Sequence, residues 1–592
     1  MKKTFTLFCL LLACAYGFAQ SNNNEDEVVK IDWYNQHATK EGELIVKFAD
    51  HTTLRLQNDA RGTLQATGIN KVDALLRQYP VAKAERLCPN DNPNRTLRTT
   101  KSYNGPDVVE RDLSRLCRFV MQDPMQTYEM IDALKALDEV EFAEPNYLAF
   151  ALGSSPDPIS PISPLSPMKT PTSRDGNYFN PTAYMAEPMY PLQWGLSAVH
   201  LPELWAADTV SSNSDRKVIA ILDTGVDIDH PDLAANIWTN PGESDNGYDD
   251  DNNGFADDLH GWDFVNHTAD MHDFNSPGTH CAGIAAAVGD NGIGMTGANP
   301  MAYIMPIAVL QSNGTGDIAT VIQGINYAKN NGADVLSMSF GTYSYSIALE
   351  QALGQAYQNA VLVAAAGNDG KAIDPRCGKP QDMPMYPAAF TFVLGVEATQ
   401  QVPGQCGYRT CWSNYDCDGP TFSQYGEEQL YNYELQAPGA AIYSTVPNGN
   451  YRNFSGTSMA APLVAGGISA LLHAKPYPSQ EMMWGDLINT AGNHVNFKAC
   501  YDMGEAPAQL DFVCFEMNDT LAGDGDSRPD AGETIDLYPT LRSTWGATDN
   551  IMMWLTVDEY EDPDIVTFLD TNPVAFGQSL SAYAKSKAAN PL

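Results

Sequence analysis

The sequence predicts an α/β fold built on a mostly parallel β-sheet. An uninterrupted apolar run at residues 218–222 ends in Asp223-Thr224-Gly225. This pattern is typical of a buried parallel strand with a polar group at its carboxyl end. Strand-like and helix-like stretches then alternate along the chain, which predicts helices on both faces of the sheet. The predicted strands cover residues 304–310, 334–339 and 361–366, and the predicted helices cover residues 318–329 and 346–359.

The length and charge of the chain limit its function. A chain of 592 residues is long enough for several domains. Its 34 basic and 73 acidic residues give a formal net charge of −39. A surface this acidic is unsuited to nucleic-acid phosphates, so we expect no nucleic-acid partner. Most of the carboxylates are expected to face solvent, although acidic loops can also hold Ca²⁺.

The first residues are typical of an export signal. Met1-Lys2-Lys3 precedes an apolar run at residues 5–18, which predicts a signal peptide over residues 1–19 with cleavage after Ala19. A lipoprotein site that would anchor the chain at Cys14 is the alternative. No later apolar run is long enough to span a bilayer. We therefore expect a secreted, extracellular protein in which disulfides are permitted.

The rest of the chain divides by composition. Strand, helix and strand patterns at residues 43–48, 128–137 and 140–142 predict a small α+β domain. A Pro/Ser-rich stretch after it predicts an extended linker that is open to cleavage. The last part predicts strands, the start of a β-sandwich-like module with too few strands to be complete. The expected boundaries are 20–150 for the α+β domain, 151–187 for the linker, 188–504 for the α/β domain and 505–592 for the β-rich module.

Small residues surround one serine in the stretch 453–466, Asn-Phe-Ser-Gly-Thr-Ser-Met-Ala-Ala-Pro-Leu-Val-Ala-Gly. We interpret it as a tight turn that places Ser458 in the first turn of a buried helix, where Pro462 is tolerated. Unpaired backbone N–H groups at a helix start can stabilise a developing oxyanion. The alternative is a helix packing site in which Ser458 is only an N-cap.

The stretch 453–466 resembles the nucleophile motif of the subtilisin family of serine proteases, and the resemblance extends over about residues 42–491. Asp223, in the stretch 223–233, resembles the aspartate that orients the family's base. Asn368, in the stretch 364–370, resembles the asparagine of the oxyanion hole. The resemblance implies an endopeptidase that hydrolyses polypeptides through an acyl-enzyme on Ser458.

The resemblance also implies where a substrate lies. Two segments, residues 314–316 and 337–341, resemble the edges that pair with an extended peptide. Apolar or aromatic side chains are expected in a primary pocket lined by small residues. The implied substrate-binding residues are Gly314, Gly316, Ser339, Phe340, Gly341, Ala365 and Gly367. The stretch 143–147 resembles the end of the family's inhibitory propeptide, so the α+β domain is expected to be a partner of the cleft.

One position departs from the family motif. The family's base is the first histidine of His-Gly-Thr-His, but residues 277–280 read Pro-Gly-Thr-His. Pro277 therefore stands at the base position and cannot accept a proton from Ser458. His280 matches the second histidine of the motif. Three residues along a helix rotate a side chain by about 60° and advance it ~4.5 Å, so we do not expect His280 to be the base.

Three explanations of Pro277 stay open. The chain is a natural pseudo-protease that binds extended peptides without cutting them. Alternatively it uses a replacement base, for which His267 and His272 lie upstream. Finally, the chain differs at this position, by error or by design, from an active enzyme.

Two acidic motifs predict structural Ca²⁺ sites, and no organic cofactor is expected. Residues 249–258 place oxygen ligands at alternate positions with Gly254 sixth, as in an EF-hand loop, but His260 stands where a bidentate glutamate is expected. A solvated acidic turn is the alternative. Resemblance to the family's high-affinity site implies a second ion. The candidate ligands are Asp249, Asp251, Asn253 and Asp257 in the first site, and Asp232, Asn291, Ile293 and Met295 in the second.

The 11 cysteines fall into groups. Cys281 resembles a buried free cysteine found in some members of the family. Two belong to the signal peptide (Cys9 and Cys14) and two to the α+β domain (Cys88 and Cys117). The remaining six allow three disulfides, of which we favour a local pair between Cys500 and Cys514; the other four are Cys377, Cys406, Cys411 and Cys417.

Overall fold

The computed structural model describes residues 38–592 with gaps. The gaps are residues 60–61, 102–106, 153–180, 209–215, 274–275, 372–383, 405–406, 412, 416–432, 505, 509, 523–533, 544, 555–571 and 581–584. The predicted signal peptide, the Pro/Ser-rich stretch and Cys377, Cys406 and Cys417 lie outside the described residues.

The N-terminal domain is an antiparallel sheet packed against a helix. Its elements are β1 (Thr39–Phe48), β2 (Gln57–Asn58), β3 (Leu64–Ala66), α1 (Asn70–Leu75), β4 (Val81–Arg86), β5 (Thr99–Thr100), β6 (Val108–Val109), β7 (Leu116–Met121), α2 (Thr127–Lys135) and β8 (Val140–Ala151). Strand β1 pairs with β7 and β8, so Ile45 lies opposite both Arg118 and Glu144. Helix α2 buries Met130, Ile131 and Leu134, which share one helical face, against this sheet.

The α/β domain contains the strands and helices that the sequence predicts, with further short elements. Its strands are β9 (Val218–Asp223), β10 (Trp262–Asp263), β11 (Tyr303–Ala308), β12 (Thr315–Asp317), β13 (Val335–Met338), β14 (Phe340–Gly341), β15 (Val361–Ala365), β16 (Leu394–Gly404), β17 (Gly407–Arg409), β18 (Leu435–Pro438), β19 (Ile442–Val446) and β20 (Asn450–Phe454). Its helices are α3 (Pro181–Tyr184), α4 (Trp194–Ala198), α5 (Leu201–Ala207), α6 (Pro277–Ala286), α7 (Ile318–Asn330), α8 (Ile347–Ala356), α9 (Thr457–Ala474), α10 (Gln480–Thr490) and α11 (Phe497–Asp502).

The main sheet has the order β10-β11-β9-β13-β15-β16-β17, with β18 also paired to β16. All of these pairs are parallel except β16 with β17, so the prediction of an α/β fold with a mostly parallel sheet is confirmed. Helices α6 and α9 pack together on one face, and α7 and α8 pack together on the other. The start of α9 hydrogen-bonds to residues that follow β13 and β15: Ser339 Oγ donates to the carbonyl of Ser458, and the N–H of Gly367 donates to Thr457 Oγ1.

Helix α9 is the core of this domain. It begins at Thr457, as the sequence predicts, and almost every residue up to His473 is buried. Among the described residues it is the one helix whose length and apolar character would allow it to cross a membrane. Because 89% of that window is buried inside the protein, α9 is accounted for as a core helix.

Strand β8 is longer than the sequence predicts. The pattern indicated a strand only over residues 140–142, whereas β8 continues to Ala151. The extension leaves the N-terminal sheet and lies between two edge segments of the α/β domain, antiparallel to β12 and to β14. It forms because these segments supply main-chain partners that come from residues far along the chain.

Two polar side chains of β8 attach the N-terminal domain to helix starts of the α/β domain. Glu144 accepts hydrogen bonds from Ser346 Oγ and from the N–H groups of Ile347 and Ala348, at the start of α8. Asn146 Oδ1 accepts from the N–H of Ala319 in the first turn of α7. Both side chains therefore satisfy helix N–H groups that have no partner within the helix.

The C-terminal region forms two small sheets among its described residues. Its strands are β21 (Leu510–Ala522), β22 (Thr534–Ser543), β23 (Met552–Met553), β24 (Val574–Ala575) and β25 (Lys585–Lys587). The order β21-β22-β25 forms one sheet and β23-β24 the other. Strand β23 covers only Met552 and Met553, and the described stretch that contains it ends at Trp554. Trp545 Nε1 donates to Asp486 Oδ1 of α10 at 3.0 Å and so connects the module to the α/β domain.

The favoured disulfide between Cys500 and Cys514 is wrong. Both thiols are free, because Cys500 is buried on α11 with its Sγ 3.1 Å from Thr490 Oγ1, whereas Cys514 is exposed on β21. Cys281 is free and buried, as the resemblance implied. Cys411 is disulfide-bonded.

Replacing Glu144 by Ala should lower the free energy of unfolding by about 1–3 kcal/mol, because three donors at the start of α8 lose a buried acceptor. Chemical denaturation of the full chain measures this effect. The control is Glu129→Ala on the exposed side of α2, which should change stability little. Equal stability of the Glu144→Ala variant and the parent chain would contradict the proposed attachment.

Candidate active site

Ser458 is the second residue of α9 and lies at the carboxyl edge of the main sheet. Its Oγ donates a hydrogen bond to the carbonyl of Ser339 at 2.9 Å, and Ser339 Oγ donates to the carbonyl of Ser458 at 3.1 Å. The buried thiol of Cys281 lies 3.3 Å from the same Ser458 carbonyl. Burial raises the pKa of Cys281 well above its usual value, so this thiol stays protonated and is not a competing nucleophile.

The amide of Asn368 has a fixed orientation. Its Oδ1 accepts hydrogen bonds from the N–H and the Oγ1 of Thr457, both at 3.0 Å. Since Oδ1 is held in this way, Nδ2 must point into the cleft, where it donates to the carbonyl oxygen of Leu152. An amide N–H aimed at a carbonyl oxygen is the contact that stabilises an oxyanion during acyl transfer.

The predicted substrate-binding residues lie on both sides of one strand. Residues 314–317 pair with one edge of β8, and residues 339–341 pair with its other edge. Ala151 donates its N–H to the carbonyl of Gly314 at 2.7 Å, and Leu152 donates to the carbonyl of Ser339 at 3.0 Å. Phe340 and Ala365 are buried beside this cleft. The chain's own residues 148–152 thus lie as an extended peptide in the cleft that the sequence predicts.

Asp223 stands at the end of β9 and is 1% exposed. Its Oδ1 accepts from the N–H of Thr224 at 2.8 Å, but Oδ2 has no hydrogen-bond partner among the described residues. Gly278, at the start of α6, packs directly against the turn at Gly225 and against Asp223 Cβ. The family resemblance implies a histidine at position 277, whose ring the aspartate would orient. The residue at this position, the first of α6, is a proline.

An unpaired buried carboxyl resists ionisation. Burial raises the pKa of Asp223 to about 7, although the hydrogen bond from Thr224 acts in the opposite direction. The nearby charge of Asp273 raises it further. Asp273 was not identified from the sequence, although it precedes α6; it accepts hydrogen bonds from Thr224 Oγ1 and from the N–H groups of Ser276 and Thr279.

No histidine among the described residues takes the place of the base. His280 is 0% exposed, stacks on Phe454 with ring centroids 4.3 Å apart, and makes its contact with Arg452 O. Burial lowers the pKa of His280 to about 3. His272 lies near the surface, 2.5 Å from Asp270 Oδ1, and that contact raises its pKa. His267 lines a polar cavity between the two domains instead of the active-site cleft.

The second predicted Ca²⁺ site brings several oxygen atoms together. Asp232 is buried and its Oδ1 lies 2.7 Å from Asn291 Nδ2, while its Oδ2 accepts from the N–H of Met295 at 2.8 Å. Glu187, which was not identified from the sequence, accepts from the N–H of Asn291 with Oε1, and its buried Oε2 has no hydrogen-bond partner among the residues that the structure describes. Burial raises the pKa of both Glu187 and Asp232 to about 7. Ile293 lies in the same loop. The buried carboxyl groups of Asp232 and Glu187 fit a cation that prefers oxygen ligands.

The first predicted Ca²⁺ site is less open to an ion. Carboxylate oxygens of Glu243, Asp249 and Asp251 lie within 4.8 Å of one another. However, Glu243 already accepts from the N–H groups of residues 250, 251 and 257, and Asp249 accepts from those of residues 253 and 254. Asp257 accepts from residues 246 and 247, and Asn253 from residue 255. A solvated acidic turn that binds no ion makes hydrogen bonds of the same kind.

A buried serine, an oriented amide donor and a buried carboxyl at one sheet edge are three of the groups that make up a serine-protease active site. A family model described as the subtilase family matches residues 214–513. Thermitase from Thermoactinomyces vulgaris is 36% identical over 275 residues, which make up 46% of this chain and 80% of thermitase. Subtilisin Savinase from Lederbergia lenta is 33% identical over 299 residues, 50% of this chain and 90% of its own length. Subtilisin DY from Bacillus licheniformis is 33% identical over 276 residues, 46% of this chain and 83% of its own length.

The chain therefore belongs to the subtilase family, the subtilisin-like serine proteases. The family match leaves the N-terminal domain and most of the C-terminal region uncovered.

Replacing Asp223 by Asn should raise the free energy of unfolding at pH 8 by about 2–4 kcal/mol and change it little at pH 4. The pKa of Asp223 in the folded chain, about 7, lies above the usual aspartate value of 3.8. The penalty is therefore absent below pH 3.8, grows as the unfolded chain ionises, and is complete above about pH 7. Denaturation curves at both pH values measure it. Asp245→Asn, on an exposed loop, is the control, and equal effects of Asp223→Asn at pH 4 and pH 8 would contradict the unpaired carboxyl.

Proposed function

We propose that the protein is a subtilisin-like serine endopeptidase scaffold that binds an extended polypeptide but lacks the general base. The chain as written is then a pseudo-protease that holds peptides with little or no hydrolysis. One observation carries this proposal: among the described residues, the buried Oδ2 of Asp223 has no hydrogen-bond partner where Pro277 begins α6. The same site with histidine at position 277 would be a serine endopeptidase.

Peptide hydrolysis at this site requires a proton acceptor. When Ser458 Oγ forms a bond with the substrate carbonyl carbon, its proton must leave, and an imidazole normally takes it and then gives it to the departing amine. Pro277 can do neither. The amide of Asn368 still supports an oxyanion, and such groups alone sustain ~10³–10⁴-fold over water. In subtilisin, loss of the histidine alone lowers turnover by ~10⁶-fold.

We propose that the N-terminal domain is the inhibitory propeptide of this scaffold. Its last strand pairs with both edges of the cleft, and the carbonyl of Leu152 accepts a hydrogen bond from Asn368 Nδ2. The peptide bond that follows Leu152 is consequently the bond presented to Ser458. Without a base this bond stays intact, and the propeptide remains both covalently attached and bound.

We also propose that the protein is exported, with residues 1–19 as its signal peptide and anchorage at Cys14 as the alternative. A minor extracellular protease of Bacillus subtilis is 33% identical over 285 residues, 48% of this chain and 36% of that protein. This similarity and the Met1-Lys2-Lys3 start support an extracellular location. Its partners would be polypeptides and its own propeptide.

We propose that the Asp232 site holds a structural Ca²⁺ ion. Its two buried carboxyl groups, one with an orphaned oxygen at Glu187 Oε2, supply the negative charge that such an ion requires. The side chain of Asn291 and the carbonyls of Ile293 and Met295 would complete the oxygen set. The ion would fix the loop that connects α6 to β11 and contribute to stability without entering the reaction.

Replacing Pro277 by His should restore proton transfer and let the chain cut itself after Leu152. The intact mass of purified protein measures this result: the unmodified chain stays joined across residue 152, and the variant yields a fragment that ends at Leu152. Pro277→His combined with Ser458→Ala is the matched control and should stay uncut. If the unmodified chain is trimmed and Ser458→Ala stops it, the chain has another base and the pseudo-protease proposal fails.

Removing Ca²⁺ with a chelator should lower the thermal midpoint by about 5–10 °C, because an ion bound only by the folded state stabilises it by about 2–4 kcal/mol at 10²–10³ times its Kd. In Asp232→Ala the chelator should have little further effect. Asp249→Ala is the comparison, and it should keep the full response. A response that disappears with Asp249→Ala but survives in Asp232→Ala would place the ion in the acidic loop instead.

A further inference from the structure

Asp273 joins the turn after β9 to the first turn of α6. It is buried, with 4% of the residue exposed. Its Oδ1 accepts hydrogen bonds from Thr224 Oγ1 at 3.1 Å and from the N–H of Ser276 at 3.0 Å. Its Oδ2 accepts from the N–H of Thr279 at 2.9 Å and from Thr279 Oγ1 at 2.7 Å. A single carboxylate is therefore bonded to residues on both sides of position 277 and to the residue that follows Asp223.

The turn and the helix also contact each other directly. The N–H of Gly278 donates to Thr224 Oγ1 at 3.2 Å, while the same hydroxyl donates its proton to Asp273. A Cβ at Gly278 would lie 2.0 Å from the carbonyl oxygen of Gly225 and 3.2 Å from Asp223 Cβ. The two segments are thus packed as closely as glycine allows, and the residue at position 277 has a defined place beside Asp223.

The residue before position 277 has a strained backbone. Ser276 has a φ of 85° and a ψ of −26°, in the left-handed region that residues other than glycine seldom adopt. Residues before a proline favour an extended backbone, so Pro277 adds to this strain. Strained conformations persist where the surrounding contacts determine them. The hydrogen bond from the N–H of Ser276 to Asp273 is such a contact, so the carboxylate holds the turn that leads into α6.

We propose that Asp273 is a positioning residue, which fixes the side chain at position 277 against Oδ2 of Asp223. This inference rests on the proposed function, in which an imidazole at position 277 would complete the active site. Asp273 acts through Thr224 and the first turn of α6, and it does not replace the base. Its charge has a second effect. Together with burial it raises the pKa of Asp223, and it would also favour the protonated form of an imidazole at position 277.

Self-cleavage in the Pro277→His chain tests both effects. Asp273→Asn should slow the release of the N-terminal fragment about tenfold or more, because the amide has only one acceptor oxygen for the donors of the turn and the helix. The midpoint of the pH–rate profile should also fall by about one pH unit, because an imidazolium without a neighbouring carboxylate loses its proton more readily. Asp270→Asn, the same substitution on an exposed part of the same loop, is the matched control and should change neither the rate nor the midpoint.

A second variant separates position from charge. Thr224→Val removes one donor to Asp273 and keeps the carboxylate, so it should slow cleavage without moving the pH midpoint. It also decides the positioning role where Asp273→Asn does not fold. Either an equal loss of rate at every pH in Asp273→Asn, or rates within about twofold of the Pro277→His parent in both variants, would overturn the proposal.

The stability of the chain with Pro277 gives a readout that needs no catalysis. Asp223→Asn is expected to stabilise this chain at pH 8, and in an Asp273→Asn background the gain should be smaller, because the neighbouring charge is gone. An Asp270→Asn background should leave the gain unchanged. If Pro277→His produces no cleavage at all, the proposed function fails, whereas an equal gain in both backgrounds would show that Asp273 does not act on Asp223.

Discussion

The structure depends on a single shared strand. Strand β8 begins as part of the N-terminal sheet beside β1 and ends between β12 and β14 of the α/β domain. Because both of its edges are paired, the main-chain groups of the cleft are satisfied without solvent. The acceptors Glu144 and Asn146 on this strand bind N–H groups at the starts of α7 and α8 that have no partner within their helices. The strand therefore links the two domains and fixes the geometry of the cleft at the same time.

Under the proposed function, the active site has its oxyanion-binding groups but lacks its proton acceptor. Thr457 orients Asn368, and Asn368 contacts the carbonyl that would be attacked, so the electrostatic part of the site is preorganised. On the side of proton transfer, one carboxyl oxygen of Asp223 has no hydrogen-bond partner in the part of the chain that the structure describes. The large, well-packed α/β core offsets the free-energy cost of this unpaired carboxyl. Pro277 itself is tolerated because it stands at the start of α6, where its missing N–H is not needed by the helix.

The sequence predicts the elements whose signals are local. The apolar run before Asp223, the helix of residues 318–329 and the turn before Ser458 reflect burial and periodicity within one stretch, and each lies where expected. Features that depend on distant residues could not be predicted in this way. The length of β8 requires partners near residues 315 and 340, and Glu187 approaches Asp232 only in the folded chain. The proposed Cys500 and Cys514 pair failed for the same reason, since nearness in sequence did not place the thiols on facing surfaces.

The covalent continuity of β8 with the cleft changes how an outside peptide would compete for it. A strand tethered to its own binding site acts at an effective concentration in the millimolar range for short flexible links. A peptide present at micromolar concentration would need to bind roughly a thousandfold more tightly than residues 148–152 to replace them in half of the molecules. An active protease escapes this competition once it cuts the tether. A chain that cannot cut keeps the internal ligand in place, so its cleft responds only to strong competitors or to forces that separate the two domains.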